Sequence, residues 1–185
     1  MFIDTNELFP FTVMDVLLTL SEDRLLDWVW TDELLDEWAR VIVRERRRSV
    51  DSARAIVATV RQGFAPTRLD PDAYRHLITD DLSPDEGDRA HAASCIGGHV
   101  DVLITRNVSD FRSDRLAEAG VGVMTGDDYL TELLRRRPRA ILESFVRLAG
   151  IKTRPPMTPC ELAEQLRRAG APRFAARLGH RLDCV

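Results

Sequence analysis

A chain of 185 residues, 44% hydrophobic and 30% charged, has an ordinary globular composition and the length for one main domain with a real core. No run approaches the ~20 apolar residues of a membrane span; the N-terminus, MFIDTNELFP, lacks the basic start and apolar stretch of a secretory leader, so the expected location is cytoplasmic. The formal charge of −4 hides a split: residues 1–134 hold 14 Lys/Arg against 26 Asp/Glu, residues 135–185 hold 12 against 4, and an acidic body therefore carries a basic tail.

In chain order, MFID is a short apolar strand that stops at Asp4, and TNELFP is turn-like. Residues 12–23 place Val13, Val16, Leu17 and Leu20 on one helical face. RLLDWVW (24–30) mixes β-branched and aromatic residues and predicts a second strand. TDELLDEWARVIVRERR opens with a capping box at Thr31 and buries a stripe of Leu34, Leu35, Trp38, Val41 and Ile42. The run RERRR (44–48) reads as a solvated helix end. A further helix covers 50–62, and DAYRHLIT is ambiguous between strand and helix.

Ser83 as cap, Pro84 in the first turn and Glu86 closing a capping box predict a helix that halts at Gly97-Gly98. A strand at 101–105, a short helix near 113–119, a strand at 121–125 and a helix from Asp127 follow. Apolar strands alternating with helices predict an α/β fold with a central parallel sheet. Residues 138–185 look like a small, basic, helical C-terminal appendage on a body of residues 1–137; KTRPPMTP (152–159) reads as a linker, and Thr158 as the cap of a helix. Cys95, Cys160 and Cys184 are odd in number and far apart, which predicts free thiols in a reducing compartment and no zinc site.

In a parallel α/β sheet, ligands gather where strands end. Asp4 ends the first strand, and Thr105, Asn107 and Asp110 follow a later one. Glu37 falls at the border of its helix's buried stripe, and Asp88 points inward with Ala92, with Asp85 on a similar face. Converging carboxylates repel one another, and a hard divalent cation such as Mg²⁺ removes that cost while keeping waters for chemistry. Taken singly, each acid is more often a turn, cap or surface residue; the joint pattern carries the functional reading. Thr105 and Asn107 are expected to orient metal-bound water or substrate. His91 reads as a satisfied structural histidine, although its place three residues after Asp88 can aim it at the cleft.

FIDTNEL, TDELLDEWARVI, DEGDRAHAAS and DVLITRNVSDF, in this order and spacing, resemble the PIN-domain ribonucleases, in particular the VapC-type toxins of bacterial toxin–antitoxin pairs, over roughly residues 1–130. The resemblance implies a three-layer α/β/α PIN-like domain and endonucleolytic cleavage of RNA with Mg²⁺ or Mn²⁺. It places the family's acidic quartet at Asp4, Glu37, Asp88 and Asp110, with Asp85 as an accessory acid. Asn107 stands where many members carry an aspartate. A VapB-like antitoxin partner, a homodimer and a structured RNA target, such as a tRNA or ribosomal RNA loop, are implied as well. The tail resembles the helical extension of one VapC subgroup.

Arg135, Arg136, Arg167, Arg168, Arg173 and Arg177 are candidates for phosphate contacts, and are equally suited to pairing with the body's own acids. Phe9 and Phe11 can stack on a base, although core packing is the commoner role of such residues. The alternative to an endoribonuclease is a nonenzymatic RNA-binding or assembly module with a decayed site. A phosphotransfer domain ranks low, because Lys152 is the only lysine and no helper lysine stands near Asp4 or Asp110.

Overall fold

The computed structural model describes residues 1–111, 114–153 and 155–184. In chain order the elements are β1 (Phe2–Ile3), α1 (Thr5–Leu8), α2 (Phe11–Glu22), α3 (Asp32–Arg44), α4 (Val50–Gly63), α5 (Glu86–Gly97), β2 (Val102–Ile104), α6 (Asp114–Glu118), β3 (Gly122–Met124), α7 (Gly126–Arg136), α8 (Pro138–Ile151), α9 (Pro159–Arg168) and α10 (Pro172–Arg181). The expected start of α6 near residue 113 lies outside the described residues. The chain divides into two compact units, Met1–Phe9 with Asp27–Met124, and Pro10–Leu26 with Thr125–Val185. No helix among the described residues is long and apolar enough to cross a membrane.

The first unit is built on a small parallel sheet in the order β1-β2-β3, with Ile3 opposite Ile104 and Leu103 opposite Val123. Phe2, Ile3, Leu103 and Ile104 are wholly enclosed, as unbroken apolar strands of a covered parallel sheet must be. The expected strand at 24–30 is absent. Arg24 takes a left-handed turn, and only Val29 and Trp30 make isolated bridges, to Phe2 and Arg68. Its aromatic content serves burial instead: Trp28 packs edge-on to Phe64 at 5.2 Å, and Trp30 donates its indole N–H to the Phe64 carbonyl at 2.8 Å. DAYRHLIT folds as two short 3-10 turns, Pro71–Ala73 and Arg75–Leu77.

The stripe on α3 is buried at Leu34, Leu35, Trp38 and Ile42. Thr31 caps α3 by accepting from the Leu34 N–H, but the expected box is missing because leucine, not an acid, stands at the third helical position. The cap of α5 is also shifted: Asp85, not Ser83, accepts from the Gly87 N–H at 2.8 Å, and the Ser83 hydroxyl accepts from the Asp85 N–H. Ser83 and Asp85 both satisfy cap chemistry, so the register between them was open in the sequence. Helix α5 ends at Gly97 with Gly98 as its cap residue, as expected, and Gly97 also serves close packing, since a Cβ there would stand 2.2 Å from the Ala73 carbonyl oxygen. The left-handed residue that ends α5 is His99, at φ 49°.

The second unit is helical: α2 and α7 to α10 enclose Leu17, Leu20, Phe145, Leu166, Phe174 and Leu178. Asp23 at the end of α2 accepts from Ser144 and Arg147 of α8, and Asp15 pairs with Lys152. Thr158 caps α9 as expected, and Glu161 completes a capping box with it. The expectation of three free thiols is corrected. Cys160 and Cys184 form a disulfide, with Cα atoms 5.5 Å apart, because the α9–α10 hairpin returns the chain beside its own start; Cys95 is free and buried. With that pair bonded, the thiol-based argument for a reducing compartment no longer holds.

Helix α10 has Ala171 at its cap position and no cap side chain of its own. Asp127 of α7 replaces it: the buried carboxylate accepts from the N–H groups of Arg173 at 3.1 Å and Phe174 at 2.8 Å. Asp127→Ala is therefore expected to destabilise the protein by about 1–2 kcal/mol, the cost of a lost cap, as a lower midpoint in urea unfolding; an unchanged midpoint would show the cap to be idle.

Candidate active site

Strand pairing brings the first two site residues together. The register that sets Ile3 against Ile104 continues one residue further, where the Asp4 N–H donates to the Ile104 carbonyl at 2.9 Å and the Thr105 N–H to the Met124 carbonyl at 3.0 Å. Asp4 and Thr105 therefore leave neighbouring strands side by side, at their carboxyl ends. The Thr105 hydroxyl donates to Asp4 Oδ2 at 2.7 Å and accepts from the Asn6 amide at 3.2 Å and the Asn107 N–H at 3.1 Å. Thr105 is fully enclosed, so it fixes the Asp4 carboxylate and does not face substrate as expected.

Helices supply the rest. Residues three apart share a helix face, and α5 presents Asp88 and His91 to Asp4; one ligand atom from each of these three residues lies within 4.8 Å of the others. His91 stands between two carboxylates: Nδ1 is 3.2 Å from Asp4 Oδ1, close but poorly aligned, and Nε2 is 3.3 Å from Glu37 Oε2 on α3. Asp4, Glu37, Asp88 and Asn107 line one cleft of about 280 Å³. Asp110 is not among the residues that line it; its N–H closes a turn onto the Asn107 carbonyl, and its charge still reaches Asp88. Asp85, the α5 cap, likewise acts on Asp88 by charge.

The electrostatics follow from this crowding. Burial, then the charge of Asp4, raises the Asp88 pKa to about 6, with Asp85 and Asp110 adding to the push and His91 opposing it. Burial disfavours a charged His91, but its contacts with Asp4 and Glu37 outweigh that effect and raise its pKa to about 10. The enclosed imidazolium is thus the cation that lets these acids share one site. Asp4 and Asp88 offer carboxylate oxygens that suit a hard divalent cation, the protonated His91 beside them has no lone pair to add, and the raised Asp88 pKa marks the repulsion that such a cation relieves. The sequence reading assigned His91 a structural role and did not single out Asn6; the signal for His91 was its spacing from Asp88.

Residues 126–180 match the family model of the VapC50 C-terminal domain. The match suggests a link to the VapC toxins. It takes in α7 to α9 and nearly all of α10, and does not reach the acidic residues. Neither the curated proteins nor the solved structures gave a match to the chain.

Within this helical segment most of the arginines singled out for RNA are engaged by acids of their own unit. Arg135 and Arg136 share Glu132, Arg167 and Arg168 share Glu164, and Arg173 meets Asp127 and Asp128; Arg177 is exposed. The pairs with Glu132, Glu164 and Asp128 are solvent-exposed, are worth little and exchange easily for other anions, whereas Asp127 is buried.

Proposed function

We propose that the chain is a metal-dependent endoribonuclease of the PIN type and the toxin of a type II toxin–antitoxin pair. The observation that carries this reading is the gathering of Asp4, Glu37 and Asp88 around His91 at the carboxyl ends of parallel strands. The match of the tail to the VapC50 C-terminal domain supports the toxin assignment. Asp4 and Asp88 would hold Mg²⁺ or Mn²⁺, with Glu37 and Asp110 supporting it directly or through water. When bound, the ion supplies Lewis-acid chemistry, which lowers the pKa of water and neutralises phosphodiester charge.

The chain's own groups perform the remaining work. Thr105 and His91 hold Asp4 in one orientation, and His91 ties Glu37 to it. Glu37 accepts the proton of the attacking water, and Asn107 presents its amide to the substrate. The water oxygen bonds to phosphorus as the bond to the departing ribose oxygen breaks, and that oxygen takes a proton from solvent. The substrate in this reading is a structured RNA loop, of tRNA or ribosomal RNA, met in the cytoplasm. A VapB-like antitoxin restrains the enzyme, and a homodimer is its working form.

The test is direct. Purified protein with total RNA and Mg²⁺ or Mn²⁺ is expected to give discrete cut sites on end-mapping by sequencing, and EDTA is expected to abolish them. Intact RNA with either metal would leave the nonenzymatic RNA-binding module as the better description.

A further inference from the structure

The cleft that holds the carboxylates is also lined by Phe9, Val41, Arg44 and Glu45, none of which has a part in the hydrolysis set out above. Phe9 follows α1, with its N–H bonded to the Thr5 carbonyl at 3.0 Å, so the ring leaves the chain five residues after Asp4. It is only half-buried, unlike Phe2 and Phe111, which are enclosed. Facing it, α3 ends in a tight reversal: the Arg46 N–H donates to the Val43 carbonyl at 2.9 Å and the Arg47 N–H to the Ile42 carbonyl at 3.0 Å. The turning residue is Arg46, at φ 53°, where glycine or asparagine is usual.

That reversal returns the chain so that the Arg47 guanidinium carbon stands 5.6 Å from the centroid of the Phe9 ring. Arg44, at the last position of α3, keeps 72% of its side chain exposed, and its ion pair is with the adjacent Glu45, a spacing at which helix side chains do not face each other. The RERRR run is therefore more than a solvated helix end: it places one cation on an aromatic ring and another in the cleft wall.

We propose that Phe9, Arg44 and Arg47 form a subsite for one unpaired nucleotide of an RNA substrate. The base stacks on the Phe9 ring where the Arg47 guanidinium now rests, and Arg44 with the displaced Arg47 meets the adjoining phosphates. A planar cation on a half-buried surface ring is weakly held, and a base brings a larger planar face that only an unstacked nucleotide can offer. The subsite thus favours loops and single strands over duplex. An acidic peptide would use the arginines but has no need of a half-buried aromatic ring beside them. The proposal rests on the ribonuclease reading for its consequence in cleavage, and predicts RNA binding apart from it.

The experiment measures fluorescence anisotropy of a fluorescein-labelled single-stranded RNA octamer, and of the same octamer annealed into duplex, with the full-length protein in EDTA at low salt. Phe9→Leu is expected to weaken single-strand binding roughly tenfold, Phe9→Tyr to restore it, and duplex binding to stay unmoved. Arg44→Gln and Arg47→Gln are each expected to reduce the salt slope by about one. Equal affinity in Phe9→Leu, a loss that Phe9→Tyr does not rescue, or no octamer binding by the unaltered protein overturns the subsite. So does displacement of the octamer by a glutamate-rich peptide with no dependence on Phe9, which would give the arginines to a protein partner. RNA cleavage without a Phe9 effect removes the subsite alone; Phe9-dependent binding by a protein that cuts no RNA removes the nuclease reading alone.

Discussion

Asp4→Asn is expected to lower RNA cleavage by on the order of a thousandfold or more, while the protein still folds. Loss of a residue that merely supports a metal ligand typically costs 10–100-fold, and Asp4 would itself be a ligand, so the larger figure follows. The substitution is chosen for shape. An asparagine oxygen can still accept the Thr105 hydroxyl proton that Asp4 Oδ2 now accepts at 2.7 Å, so the strand-end geometry is kept. Two electrostatic changes then oppose each other: His91 loses one of its anionic contacts, and Asp88 loses the charge that, after burial, does most to raise its pKa. The net shift in melting temperature should stay within about 2–4 °C, roughly 1 kcal/mol for a chain of this length. Single-turnover cleavage at saturating enzyme, read beside the circular-dichroism melt, separates chemistry from folding. Cleavage at the unaltered rate would remove Asp4 from the reaction.

Much of this arrangement was legible in the sequence, and the parts that were not have identifiable physical causes. Strand ends are well marked by composition: an apolar run followed by Asp4, and another followed by Thr105, needed only one register to meet. What an apolar run does not reveal is its pairing partner. Residues 24–30 look like a strand, yet Trp28 and Trp30 satisfy their burial against Phe64 with only isolated bridges. Local capping chemistry is similarly degenerate, since Ser83 and Asp85 can each start α5 and only the packed helix selects one.

Contacts over long sequence separation were the least visible. The pairing of Cys160 with Cys184 depends on the α9–α10 hairpin, and the joining of α2 to α8 depends on Asp23 meeting Ser144 and Arg147 more than a hundred residues away. Asp4, Glu37 and Asp88, which line the cleft, are conspicuous in the sequence as carboxylates at a strand end and on helix borders, and Asp110 is as conspicuous yet does not line it. The histidine's role was not readable, because an imidazole on an apolar helix face looks the same whether it fills space or neutralises charge. Only the 3.2 and 3.3 Å approaches to Asp4 and Glu37 separate the two roles.

That distinction gives the second large effect. His91 is 2% exposed and Asp4 3%, so His91→Leu removes an enclosed cation from a buried carboxylate, a loss that costs about 3–5 kcal/mol when a buried pair is broken from one side. The sign with pH is fixed by linkage. The His91 pKa is raised from an ordinary 6.5 to about 10 in the folded protein, so its stabilisation is fully present below about pH 6.5 and is lost as pH rises through about 10. Urea midpoints of the two proteins, both stripped of divalent ions with EDTA, should therefore lie farthest apart near pH 6 and draw together by pH 10. Added Mg²⁺ should recover part of the variant's deficit, since an ion that binds only the folded state stabilises it by ~2.7 kcal/mol at a hundredfold excess over its Kd. A gap that widens with pH would mean that His91 is neutral and packs as an apolar residue, and the acids would then need another explanation for sharing one cleft.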